Sequence, residues 1–178
     1  MREPVSKSRL IQFLSELALG SSTEPSRVYL IGGATAVLLG WRPSTLDVDL
    51  CAERDQVLQQ ISELKKRLQI NVELGRPEDS VPPLEGSSER HLFIETIGPV
   101  SYFHYDPYAQ AFSKIVRGFN TDVVDATQFV RAKLVLPREL QRLVKAIPAS
   151  GYLPYPRLSR LAVERAVDQF TASFPPSA

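Results

Sequence analysis

A glycine pair and an aspartate pair, set close together in the chain, constrain its fold more than any other feature. The stretch LIGGATAVLLGWRPSTLDVDL runs from Leu30 to Leu50. A short apolar run ends at Gly32 and Gly33, and Asp47 and Asp49 stand inside a later run that is otherwise typical of a buried strand. Holding two carboxylates beside a core costs on the order of several kcal/mol unless a cation shares the site. We therefore expect a cationic group to bind there.

The spacing of the aspartates predicts how they are presented. In a strand, side chains two positions apart point to the same side, roughly 6–7 Å apart along the chain. Asp47 and Asp49 are predicted to project together, with Leu46, Val48 and Leu50 turned towards the core. Two converging carboxylates suit Mg²⁺, which usually binds through one or two carboxylates plus substrate phosphates. The glycine turn, leading into a helix, would let backbone N–H groups approach a polyphosphate.

Residue periodicity predicts an α+β fold, with a small mixed β-sheet flanked by helices and a helical C-terminal part. Helical spacing is present over residues 6–20 and 54–69, and a short helix is expected after the glycine turn. The β-rich runs are RVYLI, TLDVDLCA, INVEL and the two halves of HLFIETIGPVSYFHY. Residues 1–106 are predicted to form the core with its N-terminal helix, and 107–178 a helical part packed on it, together as one compact domain.

The segment 75–90, GRPEDSVPPLEGSSER, has three prolines and no periodicity. A structureless loop of that length indicates a lid, a binding loop or disorder. Beyond it, Asp106 is expected to cap a helix with Pro107 at its first position, running to Arg117. Further helices are predicted from about residues 120, 137 and 156 onwards.

The composition argues against several classes of protein. The chain has 178 residues, one cysteine and two histidines, which argues against a disulfide framework and against a metal site built from cysteine or histidine. Its polar N-terminus and the lack of a long apolar run predict a soluble, cytoplasmic protein with no membrane contact. Net charge is −4 through Asp106, from 11 Lys and Arg against 15 Asp and Glu, and +5 from Pro107, from 10 against 5. A basic surface opposite an acidic site would produce this difference in charge. Ordinary solvent-exposed helices would produce it as well.

The stretch from Leu30 to Leu50 resembles the signature of the polymerase-β-like nucleotidyltransferase fold: an apolar run, two small residues, a dozen positions, then Asp-apolar-Asp. It is most similar to the minimal bacterial transferases that include toxins of the AbiEii and MenT kind, within a small uncharacterised branch. These families also carry a helix with a lysine, then a basic residue, then D-x-x-D opening the next helix. The matching positions here are Lys114, Arg117, Asp122 and Asp125. The resemblance covers roughly residues 27 to 146.

The resemblance implies Mg²⁺- or Mn²⁺-dependent transfer of a nucleoside monophosphate from an NTP to an acceptor. Asp47 and Asp49 would hold the metal, and Gly32 and Gly33 would cradle phosphates. The acceptor is left open among RNA (including tRNA), a protein and a small molecule. A toxin–antitoxin or phage-defence role, with an antitoxin protein as partner, is implied by the relatives.

A third acidic residue is expected on a neighbouring strand, to lower the proton affinity of the acceptor hydroxyl. Glu73 in INVEL is the candidate and Asp79 the runner-up, and Glu73 could equally be a solvent-facing strand residue. Arg42 could contact phosphate or support a turn. Thr45, on the strand face of Asp47, could reach the site or be a strand residue without further role.

The residues of the downstream motif have structural interpretations as well. Lys114 could contact the triphosphate, or stand on the polar side of a helix with a core face of Tyr108, Phe112, Ile115 and Phe119. The two aspartates of D-x-x-D could bind nucleotide, respond to the helix dipole, or orient Lys114 or Arg117. His104 has no visible acid–base partner and is expected to be structural.

Three other functions compete with the transferase. A catalytically inactive relative could bind a nucleotide or a partner protein through the same scaffold. A dinucleotide-binding domain would need the G-x-G-x-x-G spacing, which is absent. A phosphodiesterase using D-x-D would normally want histidine ligands, and histidine is scarce. The enzyme remains the main prediction, because both the glycine pair and the aspartate pair are intact.

Overall fold

A five-stranded mixed sheet organises the N-terminal part of the chain. Its strands are β2 (Ser26–Ile31), β4 (Asp47–Ala52), β5 (Asn71–Leu74), β6 (Leu92–Ile97) and β7 (Val100–His104), and a separate two-stranded sheet joins β1 (Val5–Ser6) to β3 (Ser44–Thr45). The order in the large sheet is β5-β4-β2-β7-β6. β2 pairs antiparallel with β4 and parallel with β7, β4 pairs parallel with β5, and β6 pairs antiparallel with β7.

The computed structural model describes residues 3–174, and within that range it contains seven α-helices. They are α1 (Lys7–Leu19), α2 (Gly32–Leu38), α3 (Ile61–Arg67), α4 (Pro107–Arg117), α5 (Asn120–Arg131), α6 (Pro137–Lys145) and α7 (Arg160–Ala172). Helices and a mixed sheet together confirm the predicted α+β class. None of the helices in this range is both long and apolar enough to cross a membrane.

The chain divides into two compact units. The first unit comprises the chain up to Arg76 together with His91–Tyr105, and the second comprises Pro77–Arg90 and the chain from Asp106 onwards. The first unit therefore contains both sheets and α1 to α3. The second contains α4 to α7 and most of the proline-rich segment.

Helix α1 packs on one face of the large sheet because its apolar residues recur at helical spacing. Leu10, Leu14 and Leu17 are fully buried, in one cluster with the inward-facing strand residues Val28 and Leu50. Full burial of one such leucine contributes roughly 1.5–3 kcal/mol. The helices of the first unit thus cover one sheet face, and the odd-numbered positions of β2 and β4 occupy the other.

The strand around the aspartates differs from the prediction at Leu46. We expected Leu46 to point into the core, but its side chain is 69% exposed. The chain bends at Leu46, so that Thr45 belongs to β3 and Asp47 begins β4. Val48 and Leu50 are buried as predicted. The period-two pattern therefore begins at Asp47, because the residues before it pair with β1 instead of continuing β4.

The predicted helix over residues 54–69 is interrupted. A 3₁₀ turn occupies Asp55–Leu58, and α3 begins only at Ile61. The apolar residues Val57, Ile61 and Leu64 are nevertheless all buried, as the helical spacing required. The pattern identified the buried face correctly and missed the break, because two short helical segments can bury the same residues as one helix.

The proline-rich segment 75–90 is more ordered than its sequence indicates. Two 3₁₀ turns, Pro77–Asp79 and Ser87–Glu89, lie within it. Arg90 donates to both carboxylate oxygens of the fully buried Asp106, with Nη2 to Oδ2 at 2.7 Å. The hydroxyl of Tyr155 donates to the carbonyl of Glu78 at 2.6 Å. These contacts tie the segment into the second unit, and turns this short leave no periodicity to read.

Helix α4 begins and ends as its sequence predicts. The side chain of Asp106 accepts from the backbone N–H of Tyr108 at 2.9 Å, and Pro107 occupies the first turn. Gly118 ends the helix with a φ of 71°, in the left-handed region that glycine adopts readily.

Candidate functional site

The first unit places the glycine turn beside the aspartates. Strand β2 ends at Ile31, which pairs with Asp49 across the antiparallel β2–β4 ladder, and α2 begins at the next residue, Gly32. Because the two strands run in opposite directions, the end of β2 meets the start of β4. The pairing register therefore brings together two motifs that are about fifteen residues apart in the sequence.

Asp47 and Asp49 lie on the sheet face opposite to the core, and Glu73 joins them from the adjacent strand. In the parallel β4–β5 ladder Asp47 pairs with Asn71 and Asp49 pairs with Glu73. Paired residues share a face, so these four polar side chains form one group, which we call the acidic face. Asp47 and Asp49 are half-buried and Glu73 is exposed.

Asn71 links two of the carboxylates. Its amide nitrogen donates to Oδ1 of Asp47 at 2.6 Å and to Oε1 of Glu73 at 3.2 Å. A neutral amide has two N–H groups and can serve both acceptors without adding charge. Sequence reasoning did not single out Asn71. The period-two pattern of NVEL would have found it, because Asn71 and Glu73 must share a face.

Both glycines are required by close approach of side chains from β3 and β4. Gly32 has a φ of 60°, and a Cβ atom there would lie 2.7 Å from Oδ2 of Asp49. A Cβ atom on Gly33 would lie 2.0 Å from Oγ1 of Thr45. The carboxylate of Asp49 therefore packs directly against the backbone of the glycine turn.

Thr45 fixes the bend that precedes Asp47. Its hydroxyl donates to the backbone carbonyl of Asp47 at 2.9 Å, and its side chain is nearly buried against Gly33. We expected Thr45 on the same strand face as Asp47. The strand is interrupted between them at Leu46, and the Thr45 hydroxyl donates to the backbone while lying against Gly33 of the glycine turn.

A buried polar network holds α2 on the sheet. The hydroxyl of Thr35 donates to the carbonyl of Leu30 at 3.0 Å and lies 3.2 Å from Nδ1 of His104. Since the single hydroxyl proton goes to Leu30, Nδ1 of His104 must be the donor to Thr35. Burial lowers the pKa of His104 to about 4, so the ring is neutral at pH 7. His104 is structural, as expected.

Arg42 lies in the connection between α2 and β3, where its backbone N–H donates to the carbonyl of Ala36. Its side chain is half-buried. Trp41, its neighbour, donates its own backbone N–H to the same carbonyl at 2.8 Å. Both residues thus belong to the turn that leads from the helix to the aspartates.

The downstream motif forms a closed ionic cluster in the second unit. Nζ of Lys114 lies 2.7 Å from Asp125 and 3.3 Å from Asp122, and Arg117 donates from Nε and Nη2 to Asp122 at 3.0 and 2.6 Å. Lys114, Asp122 and Asp125 are each at most 4% exposed, whereas the Arg117 side chain is 51% exposed. Lys114 was expected either to contact the triphosphate or to stand on the polar side of its helix. It is buried because the two aspartates at the start of α5 enclose it.

The predicted buried face of α4 is confirmed in part. Phe112 and Ile115 are buried as expected. Phe119 is 68% exposed, because α4 ends at Gly118 and Phe119 already belongs to the start of α5.

The acidic face has the donor chemistry of a hard-cation site. All its charged ligating groups are carboxylate oxygens, which Mg²⁺ and Mn²⁺ prefer. Two aspartates on one strand face match the one or two carboxylates that Mg²⁺ usually takes. Over residues 3–174 no three His, Cys, Asp or Glu side chains converge as a preformed metal cage. The runner-up Asp79 lies in a 3₁₀ turn of the second unit.

Comparison with known proteins gives one similar structure. No protein-family model matches this sequence, and no curated protein matches it. A crystal structure of an antigenic nucleotidyltransferase-like protein from Paracoccidioides brasiliensis aligns with a TM-score of 0.48 and 18% sequence identity. The alignment covers 92% of this chain and 95% of that one.

Proposed function

We propose that this protein is a metal-dependent nucleotidyltransferase, which moves a nucleoside monophosphate from an NTP to an acceptor. One observation carries the proposal: Asp47, Asp49 and Glu73 share one sheet face, with Asp49 packed against the Gly32 backbone. A strand carboxylate pair, a third carboxylate in register on the next strand and a glycine turn at the same end of the sheet are what the sequence resemblance implies.

Asp47 and Asp49 would hold Mg²⁺ or Mn²⁺ together with phosphate oxygens of the NTP. When bound, the metal supplies charge neutralisation at the attacking and leaving oxygens of the phosphoryl group. The half-buried position of the two aspartates leaves carboxylate surface for a ligand. Asp49 packs against Gly32 and Thr45 against Gly33, and we propose that the backbone of this turn faces the phosphates. Thr45 packs against Gly33 in a supporting role, and Arg42, in the connection after α2, is proposed as a phosphate contact.

Glu73 is proposed as the residue that lowers the proton affinity of the acceptor hydroxyl. Its register places it beside Asp49, and Asn71 orients its carboxylate. An oriented carboxylate next to the bound phosphates can accept the proton that the acceptor loses. Asp79 is the weaker candidate, because it is not on the acidic face.

In the second unit, the resemblance assigns nucleotide binding to Lys114, Arg117, Asp122 and Asp125. Their geometry supports a division of labour. Arg117 is the member whose side chain reaches solvent, so we propose it as the anion contact. Lys114 and the two aspartates would hold it in place through Asp122, which accepts from both cations.

A specific observation favours the alternative of a catalytically inactive nucleotide- or partner-binding relative. The amide of Asn71 bonds to Asp47 and Glu73, and over residues 3–174 no three His, Cys, Asp or Glu side chains converge on a common metal position. For the enzyme, the resemblance further suggests an RNA acceptor such as tRNA and a toxin role with an antitoxin partner. Such an enzyme would work in the cytoplasm.

Calorimetric titration of each Mg-NTP tests the proposal. The wild type should bind at least one NTP only with Mg²⁺ or Mn²⁺ present. The double variant Asp47→Asn/Asp49→Asn should lose that binding, and the exposed Asp55→Asn variant should keep it. A folded wild type that binds no NTP, or a double variant that binds as well as wild type, would contradict the site.

Transfer of α-phosphate-labelled NTP separates the enzyme from the inactive relative. If the protein is a transferase, label should appear on an acceptor in a cell extract, and Glu73→Gln should abolish labelling while retaining NTP binding. Asp79→Asn serves as the matched control and should label normally. Binding without any labelling would identify the inactive relative.

A further inference from the structure

A stripe of aromatic rings crosses the same sheet face that carries the aspartates. It is formed by Tyr29, His91, Phe93, Phe103 and Tyr105, which we call the aromatic stripe. Ring centroids lie 4.4 Å apart for Tyr29 and His91, 4.5 Å for His91 and Tyr105, 5.7 Å for Tyr29 and Phe103, and 5.5 Å for Phe93 and Phe103. All five residues belong to the first unit.

Strand register connects the stripe to the acidic face. Tyr29 pairs with Cys51 on one side and with Phe103 on the other, and Phe103 pairs with Phe93. Cys51 stands two residues beyond Asp49 on the same strand face. The Cα atom of Tyr29 is therefore about 8 Å from that of Asp49, from the strand spacing and rise. The stripe extends roughly 10 Å further across two strands.

The outer end of the stripe is open to solvent. Phe93 lies on the edge strand β6, and it is 62% exposed. Cross-strand aromatic pairs stabilise a sheet, but that role does not require an exposed ring. The other four residues of the stripe are half-buried, so Phe93 ends a continuous aromatic patch, and such a patch is typical of a binding surface.

A cation and a carboxylate flank the rings. The guanidinium of the exposed Arg27 lies over Phe103, 5.7 Å from its centroid. Arg27 also lines a shallow depression with Glu53 and Ser101. Arg27 and Glu53 carry opposite charges, so we expect a ligand of the stripe to be held by stacking more than by charge.

We infer that the aromatic stripe is a stacking site for unpaired bases of a nucleic-acid strand. Aromatic side chains on a sheet stack single-stranded bases because every base offers a flat π-face, and an arginine beside them adds a phosphate contact. A stripe of this length accommodates about two bases. A strand stacked there would have its end directed to Asp47 and Asp49. That this strand is the acceptor rests on the proposed transfer function, whereas the stacking itself does not.

Fluorescence anisotropy with a labelled eight-nucleotide single strand tests the site, without NTP or metal. The wild type should bind the single strand and not its duplex. Phe93→Ser should weaken binding about tenfold or more, as the loss of one base–aromatic stack predicts. The matched control is Phe119→Ser, which removes a phenylalanine ring that is 68% exposed in the second unit, and it should bind like wild type. Equal affinity of wild type and Phe93→Ser, or equal affinity for duplex, would overturn the inference.

The salt dependence gives a second readout. Because Arg27 is the cation that flanks the rings, binding should fall only weakly with salt, and Arg27→Gln should reduce the slope by about 0.7, as expected for one phosphate contact. A steep slope that Arg27→Gln leaves unchanged would place the strand elsewhere. Mg-NTP titration of the same preparations separates the two proposals, because a protein that binds NTP but no single strand refutes the stripe alone.

Discussion

Two carboxylate clusters, one in each unit, are built in opposite ways. In the second unit Asp122 and Asp125 are buried and enclose Lys114 at 3.3 and 2.7 Å. In the first unit Asp47 is half-buried and Glu73 is exposed, and both accept from the uncharged amide of Asn71. One cluster is neutralised inside the protein. The other keeps negative charge at a surface that solvent can reach.

The difference predicts how substitutions in each cluster affect stability. Buried ions depend on their partners, so the second cluster is stable only as a complete set. Neighbouring like charges such as those of the acidic face repel one another, and a bound cation relieves that repulsion. We therefore expect substitutions in the second cluster to cost stability, and substitutions on the acidic face to cost ligand binding.

The largest effect is expected from Lys114→Met, which keeps the length of the side chain and removes its charge. Two buried carboxylates would lose their shared cation, and the free energy of unfolding should fall by roughly 3–5 kcal/mol. Urea unfolding measures this directly. Lys145→Met is the matched control, because Lys145 pairs with Asp168 at 3.2 Å with both side chains about half exposed. It should lose less than about 1 kcal/mol. Similar losses in both variants would contradict the comparison.

A smaller effect is expected from Gly33→Ala, which changes only the packing of the glycine turn against Thr45. Gly33→Ala would place its Cβ 2.0 Å from Oγ1 of Thr45, and such overpacking should lower stability by about 1–3 kcal/mol. The double variant Gly33→Ala/Thr45→Ala removes the opposing hydroxyl and should recover part of the loss. A double-mutant cycle in urea measures the coupling. Strictly additive losses of stability would show that the side chains at positions 33 and 45 do not interact.

The buried hydrogen bond between Thr35 and His104 involves a histidine ring that is neutral at pH 7. We therefore expect the stability of the protein to fall in acid. Burial lowers the pKa of His104 from 6.5 to about 4. Between these values the unfolded chain binds a proton that the folded protein does not, so stability falls as pH falls. From pH 7 to pH 5 the loss attributable to His104 is on the order of 2 kcal/mol, and no further loss arises below its folded pKa. Urea unfolding of wild type and His104→Gln at pH 7 and pH 5 isolates the contribution of His104. An unchanged pH dependence in His104→Gln would refute this assignment.

The contrast between the clusters also explains what could be predicted from the sequence. The aspartate pair and the glycine pair were recognisable because their spacing follows local geometry, a strand and a helix start. Glu73 was a candidate because the resemblance implies a third acidic residue on a neighbouring strand and INVEL is a β-rich run. That Glu73 lies directly opposite Asp49 follows only from the pairing of β4 with β5.

What could not be predicted depends on contacts between distant residues. The bend at Leu46 follows from β3 pairing with β1, forty residues earlier in the chain. Lys114 was expected either to contact the triphosphate or to stand on the polar side of its helix, since lysine is almost never fully buried without a partner. Its burial depends on the start of another helix supplying two aspartates, which periodicity within α4 cannot reveal.

The smallest effect on stability, and the sharpest test of the comparison, is expected from Asp47→Asn. The isosteric amide keeps the shape of the side chain and removes one charge from a crowded acidic face. The free energy of unfolding should therefore change by less than about 0.5 kcal/mol, with any change favourable. Asp125→Asn is the matched substitution in the second cluster, and it should cost roughly 3 kcal/mol because it unbalances a buried ion set. Urea unfolding and Mg-NTP titration of both variants should give opposite profiles, with Asp47→Asn stable but deficient in binding. If Asp47→Asn is as destabilising as Asp125→Asn, the acidic face supports the fold, and its exposed carboxylates need no ligand to explain them.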